Sequence, residues 1–154
     1  MAIEVFGVIS DTHGLLRPEA ANALEGCARI LHAGDIGAPE ILEQLGSIAP
    51  VTAVRGNVDY GAWADALPRV EIVEAGTHLL CMIHDLGELD LDAAAAGFRA
   101  VISGHSHRPA IEDRNDVLFL NPGSAGPRRF KLPISVALLE LAGDAVTARI
   151  LELA

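Results

Sequence analysis

Apolar and polar positions alternate in blocks along this chain, and the blocks predict the elements. Ile3 to Ser10 is a nearly continuous apolar run rich in Val and Ile. Such a run suits a strand buried on both faces. Arg29 to Ala33 and Pro50 to Arg55 read as two further short strands. Between them lie two helices. Pro18 opens one that runs to about Glu25, and Pro39 to Leu45 forms the other, with Gly46 at its end. Strand, helix, strand, helix, strand is the order of a parallel sheet with crossover helices.

The second half changes character. Val70 to Glu74 and His78 to Ile83 predict two strands joined by the turn at Ala75-Gly76. Asp90 to Ala96 reads as a short Ala-rich helix, and Ala100 to Ser103 as a strand. Ala110 to Asp113 and Val117 to Leu120 predict a hairpin through Arg114-Asn115. Ile134 to Leu141 and Ala145 to Leu151 form a last pair turning at Gly143-Asp144. No internal repeat or linker divides the chain, so residues 1–154 read as one domain. Two stacked sheets with helices outside accommodate both halves.

Composition narrows the picture. The hydrophobic share is 51% and the aromatic share 4%, so the core must be aliphatic. The net charge of -10 serves solubility, and it also leaves carboxylates that bound cations can neutralise. Only Arg128, Arg129 and Lys131 cluster, too few for a nucleic-acid groove. Cys27 and Cys81 stand far apart without metal-ligand spacing and read as reduced, buried thiols. No apolar run reaches the length of a membrane span, and the first residues enter a strand with no signal-peptide pattern. The expected location is the cytoplasm.

Five polar clusters each follow a predicted strand: Asp11-Thr12-His13, Gly34-Asp35, Gly56-Asn57, His84-Asp85 and Gly104-His105-Ser106-His107. In open α/β sheets, functional groups gather at the carboxyl ends of strands. The clusters are therefore expected on one rim. Two carboxylates buried there without counter-charge would be costly, and divalent cations remove that cost. Carboxylate, imidazole and amide donors without thiolate suit Mn, Fe, Zn, Co or Ni. Seven donors exceed the needs of one ion and suffice for two when one carboxylate bridges. Asp11 with His13, and His105 with His107, are two apart, which in extended backbone puts both side chains on one side. His32 and His78 read as structural histidines.

The motifs resemble those of the calcineurin-like metallophosphoesterases, in particular the compact prokaryotic YfcE-like phosphodiesterases. The likeness runs from Val8 to Arg128. It is carried by Ile9-Ser10-Asp11-Thr12-His13-Gly14, His32-Ala33-Gly34-Asp35-Ile36, Val54-Arg55-Gly56-Asn57-Val58-Asp59, Gly104-His105-Ser106-His107 and Asn121-Pro122-Gly123-Ser124. The resemblance implies an α/β four-layer α-β-β-α sandwich of two stacked mixed sheets flanked by helices. It implies two divalent ions, manganese foremost. Asp11, His13 and His107 would hold the first, Asn57, His84 and His105 the second, with Asp35 bridging. Two residues depart from the pattern. Larger members carry a His directly after the metal-binding Asn, where this chain has Val58. Compact members often carry Gly after the fourth-motif His, where this chain has Asp85.

The reaction implied is hydrolysis of a small phosphate ester by a hydroxide between the two ions. Asp35, Asn57 and His105 are the catalytic candidates. Arg55 and Arg128 are candidates for holding a phosphate oxygen. Asn121-Pro122-Gly123-Ser124 reads as a supporting turn. Two other functions fit the resemblance. One is a protein-binding scaffold like the small subunit of the retromer coat; the other is a nuclease, which the acidic balance disfavours. A homo-oligomer is compatible with the sequence.

Overall fold

The computed structural model describes residues 3–153. In chain order the elements are β1 (Glu4–Ile9), α1 (Pro18–Ala23), β2 (Arg29–His32), α2 (Pro39–Gly46), β3 (Val51–Ala53), α3 (Ala62–Asp65), β4 (Val70–Ala75), β5 (His78–Ile83), β6 (Phe98–Ile102), β7 (Ala110–Arg114), β8 (Val117–Asn121), β9 (Ser135–Ala142) and β10 (Ala145–Glu152). They build two mixed five-stranded sheets, ordered β10-β9-β1-β2-β3 and β4-β5-β6-β8-β7.

The register decides where the loops emerge. In the first sheet β1, β2 and β3 run parallel, with Ile9 opposite His32 and His32 opposite Ala53. Their carboxyl ends are therefore level. In the second sheet β5, β6 and β8 run parallel, with Met82 opposite Ile102 and Ile102 opposite Leu120. The segments after β1, β2, β3, β5 and β6 all leave from these two level rows.

The main core lies between the sheets. Phe6, Val8, Leu31 and Ala33 from the first meet Leu80, Met82, Ile102 and Leu120 from the second. The alternate residues of β1 and β2 pack outward instead, Ile9 and Ile30 against Leu24 of the α1 end and Ile41 and Leu45 of α2. Burial on both faces explains why these strands read as continuous apolar runs. Each fully buried Leu or Ile stabilises the fold by about 1.5–3 kcal/mol.

The outer face of the second sheet has a thinner cover than expected. Cys81, Ile83, Phe98 and Val101 pack under Leu86, Leu89 and Ala93. The helix expected over Asp90 to Ala96 is absent. That stretch is one turn, closed by Ala96 N–H donating to the Asp92 carbonyl at 2.9 Å. The Asp92 carboxylate accepts from the backbone N–H groups of Ala94 and Ala95. Gly97 then turns the chain into β6 with φ +85. Of the four alanines only Ala93 is buried, so a longer helix would gain nothing by packing. A 3₁₀ turn at Leu86–Glu88 supplies the rest of the cover. The fourth layer of the sandwich is thus loop. Among the described residues no helix is long and apolar enough to cross a membrane.

Candidate metal centre

The chain must reverse sharply where it leaves each level row of strand ends, and the backbone shows this. Asp11, His13, Asp35, His105 and His107 all have positive φ, from 49 to 71. That region costs a residue with a Cβ about 1 kcal/mol or more, and such residues cluster at functional sites. This corrects the expectation from two-apart spacing. Neither Asp11 and His13 nor His105 and His107 sit in extended backbone. His105 and His107 also fall into different groups of donors.

Two glycines permit the close approach. A Cβ on Gly56 would strike the backbone nitrogen and carboxylate of Asp35. One on Gly104 would strike the Ser10 hydroxyl and lie 2.6 Å from Asp11 Oδ2. Without those side chains, the loops after β3 and β6 pack directly on the loops after β2 and β1.

Two groups of donors result. Asp11, His13 and His107 offer atoms within 4.8 Å of one another, and so do Asp35, His84 and His105. Each group could hold a metal ion. Asp35 lies between them: its Oδ2 is 3.7 Å from His13 Nε2 and 3.2 Å from His84 Nε2. Asp11 Oδ1 is 3.4 Å from His107 Nε2 and 3.8 Å from the Nε2 atoms of His13 and His84. The Asn57 amide closes the second group, 3.1 Å from His84 Nε2 and 3.2 Å from either oxygen of Asp35. Its nitrogen, turned toward them, would donate to the Asp35 oxygens, and to His84 Nε2 only while that atom carries no proton. Its oxygen, facing them, would require a cation in their midst.

The donor chemistry fits divalent cations. Asp11 is fully buried, and its Oδ1, like His13 Nε2, has no hydrogen-bond partner. A buried carboxylate oxygen left so is costly unless a positive charge sits beside it. His84 Nδ1–H donates to the Ala33 carbonyl at 2.7 Å, so Nε2 is the atom that faces Asp35 and can donate a proton to its carboxylate or give its lone pair to a cation. A backbone acceptor that fixes one ring nitrogen is the usual support of a metal-binding histidine.

The electrostatics follow from the same crowding. Burial alone would push His84 down, but its hydrogen bond to Asp35 and the charges of Asp11 and Asp35 raise it above its ordinary value. Burial would raise Asp35, yet the His84 hydrogen bond and charge, with the Val58 N–H, leave it lowered.

Of the residues that support the rim, Asp59 is the one to which the sequence assigned no role. Asp59 is buried and accepts from the backbone N–H groups of Ile36, Gly37 and Gly56, which sews the loop after β3 to the loop after β2. Its place two residues beyond Asn57 was the only signal. His32 accepts from Gly34 N–H through Nδ1 and donates through Nε2 to Thr12, whose hydroxyl donates to the Ile36 carbonyl. Its role is structural, and so is that of His78, which donates to the Gly143 carbonyl. Asn121 donates to the Gly104 carbonyl and the Ser106 hydroxyl, and Ser124 to the Asp11 carbonyl.

A cleft of about 600 Å³ opens beside Asn57, His84 and His105. Arg55 lines it and pairs with Asp65 at 3.3 Å. Arg128 is exposed and lines neither this cleft nor the smaller one beside it.

Residues 5–144 match the model of the calcineurin-like phosphoesterase superfamily domain. A probable metallophosphoesterase from Methanothermobacter thermautotrophicus is 37% identical over 96% of this chain and 92% of its own length. Among solved structures, Vacuolar Protein Sorting 29 from Cryptosporidium parvum superposes with a TM-score of 0.84 at 21% identity, over 99% of this chain and 92% of that one. YfcE, a phosphoesterase from E. coli, gives 0.70 at 24% identity, over 92% and 90%. The two structures share the fold, and the matched family model spans most of the sequence: this chain belongs to the calcineurin-like phosphoesterase superfamily.

Proposed function

We propose that the chain is a metal-dependent phosphoesterase that hydrolyses phosphodiesters at this rim. The observation that carries the reading is Asp35, whose carboxylate reaches both groups of donors. Asp11, His13 and His107 would hold one divalent ion and Asn57, His84 and His105 the other, with Asp35 common to both. Manganese is the expected metal, with iron, zinc, nickel and cobalt as alternatives for this donor set. Ions so held supply Lewis acidity at a phosphoryl oxygen and make water a better nucleophile.

The chain's own residues do the rest. Asp35 and Asn57 fix the spacing of the two groups. His105, nearly half exposed, borders the open cleft beside the buried His84. There it stands beside charge developing on a phosphoryl oxygen. Arg55 reaches the same cleft, where its guanidinium suits a phosphate oxygen. The unpaired thiols of Cys27 and Cys81 accord with a reducing cytoplasm.

The test is hydrolysis of bis(p-nitrophenyl) phosphate with and without added Mn²⁺. Turnover should need the metal, stop with chelator and fall at least about 100-fold in Asp35→Asn. Absence of turnover with each of the five metals, in protein that binds them, would remove the reading. It would then favour a second one, a protein-binding scaffold, which the likeness to Vacuolar Protein Sorting 29 supports.

A further inference from the structure

Two clefts meet at one pair of side chains. The larger, about 600 Å³, lies on the side of Arg55, Tyr60 and Arg69. The smaller, about 340 Å³, lies on the side of Leu86, Ala110 and Phe119. Asp85 and His105 line both, and no other residue does. The junction therefore stands at the outer edge of the Asp35, His84 and His105 group.

The two clefts differ in size and lining. In the larger, Arg55 pairs with Asp65 at 3.3 Å and Arg69 with Glu88 at 3.0 Å. Tyr60 is 75% exposed at its edge. This wall offers donors, acceptors and a ring face, and suits a hydroxyl-bearing substituent with a planar part. The smaller cleft sets Leu86, Ala110 and Phe119 beside Arg108 and the Arg114–Glu112 pair at 2.9 Å, and its size suits a shorter substituent.

Asp85 adds a charge at the junction. Its Oδ1 is held by Gly87 N–H at 3.0 Å, and its Oδ2 lies 3.8 Å from His105 Nε2. Unlike Asp65, Glu88 and Glu112, it pairs with none of the four arginines that line the two clefts, Arg55, Arg69, Arg108 and Arg114. A phosphomonoester brings a dianion to this point, whereas a diester brings a monoanion and a second substituent. The carboxylate opposes the first more than the second.

We propose that Asp85 and the two clefts that meet at it select phosphodiesters with a substituent for each cleft over phosphomonoesters. This rests on the phosphodiesterase reading above and adds the residue and the surfaces that set its specificity. Asp85 acts here through its charge and takes no part in proton transfer.

The experiment compares four esters of one leaving group: p-nitrophenyl phosphate, methyl p-nitrophenyl phosphate, bis(p-nitrophenyl) phosphate and thymidine 5′-(p-nitrophenyl phosphate). In the manganese-loaded protein, kcat/KM should be lowest for the monoester. It should be at least about tenfold higher for the two large diesters than for the methyl diester. Asp85→Asn should raise the monoester-to-diester ratio of kcat/KM about tenfold. Ala110→Trp, on the exposed edge strand β7, should bring the ratio of bis(p-nitrophenyl) to methyl ester toward one.

Because both variants are read as ratios, a loss of folded protein cancels. A second readout needs no turnover. Diphenyl phosphate should shift the backbone amide resonances of Gly61 and Ala110 together, and phenyl phosphate those of one cleft alone. Unchanged ratios in both variants, with diester turnover intact, would overturn the selection while leaving the phosphodiesterase reading in place. No turnover of any ester would remove both.

Discussion

His84 Nε2 stands 3.2 Å from Asp35 Oδ2, and its other ring nitrogen is committed to the Ala33 carbonyl. In metal-free protein a proton on Nε2 satisfies that contact, which is why the imidazole is raised above 6.5. The stability this pair gives the metal-free fold is full below the unfolded pKa and is lost as pH rises through the raised one. A divalent ion competes for the same lone pair. Metal binding should therefore release a proton, and affinity should weaken as pH falls below the raised pKa. Calorimetric titration with Mn²⁺ at pH 6.5, in two buffers of different ionisation enthalpy, measures this directly. Equal apparent enthalpies in the two buffers would contradict it.

Much of this arrangement was legible in the order of residues. Burial on both faces makes a strand a continuous apolar run, so β1 and β2 announced themselves, and a polar cluster directly after each strand marked the rim. What was not legible depended on contacts between distant segments. Nothing local says that β8 lies between β6 and β7, or that β9 returns to pair with β1. The left-handed backbone at Asp11 and His107 is imposed by the loops packed against them, so the two-apart spacing misled. The Asp90 to Ala96 stretch has helical composition, but one carboxylate and one glycine closed it into a single turn. Asp59 gave no chemical signal by itself, because its three partners are backbone N–H groups on two loops.

Acid should destabilise the protein through His32. Burial drives its imidazole to about 4, from an ordinary 6.5, and its Nδ1 is already an acceptor for Gly34 N–H. The folded state keeps it neutral while the unfolded chain takes up a proton. Stability is therefore full above 6.5 and declines as pH falls toward 4, by about 3 kcal/mol across the window. Asp35, lowered in the fold, adds a loss only below its ordinary 3.8. Urea midpoints at pH 7 and pH 4.5 should differ more for the natural chain than for His32→Gln, measured without metal. An equal difference in both would sink this account.

Gly56 and Gly104 should not accept even one methyl group. The added Cβ meets Asp35 backbone in one case and the Ser10 hydroxyl in the other. Gly56→Ala should cost about 1–3 kcal/mol, since the backbone atom it strikes cannot swing aside. Gly104→Ala should cost less, because a hydroxyl can rotate, although Asp11 Oδ2 is also close. Gly46→Ala, where a Cβ meets nothing within 4 Å, is the control and should be neutral or stabilising. Thermal unfolding of the three variants ranks them. Bound manganese per chain should fall with Gly56→Ala and stay at its natural value with Gly46→Ala.

Val58 should make the rate depend steeply on the leaving group. It follows Asn57, its backbone N–H donates to Asp35 Oδ1 at 3.1 Å, and its side chain is 39% exposed. A side chain there stands beside the second group of donors, and valine has no proton to give. An alkoxide leaving group needs that proton, whereas a nitrophenolate does not. General acid assistance contributes roughly 10²–10⁴-fold where it operates. The aryl-to-alkyl rate ratio should therefore stay near the large ratio set by intrinsic reactivity of the two leaving groups, without the compression that a general acid brings. Val58→His should narrow the gap by raising alkyl turnover, with a new descending limb at high pH as the imidazolium loses its proton. Hydrolysis of methyl p-nitrophenyl phosphate and of a dialkyl phosphate, followed from pH 5.5 to 9 in both proteins, decides the matter. Equal rates for aryl and alkyl esters in the natural chain would mean that another group protonates the leaving oxygen.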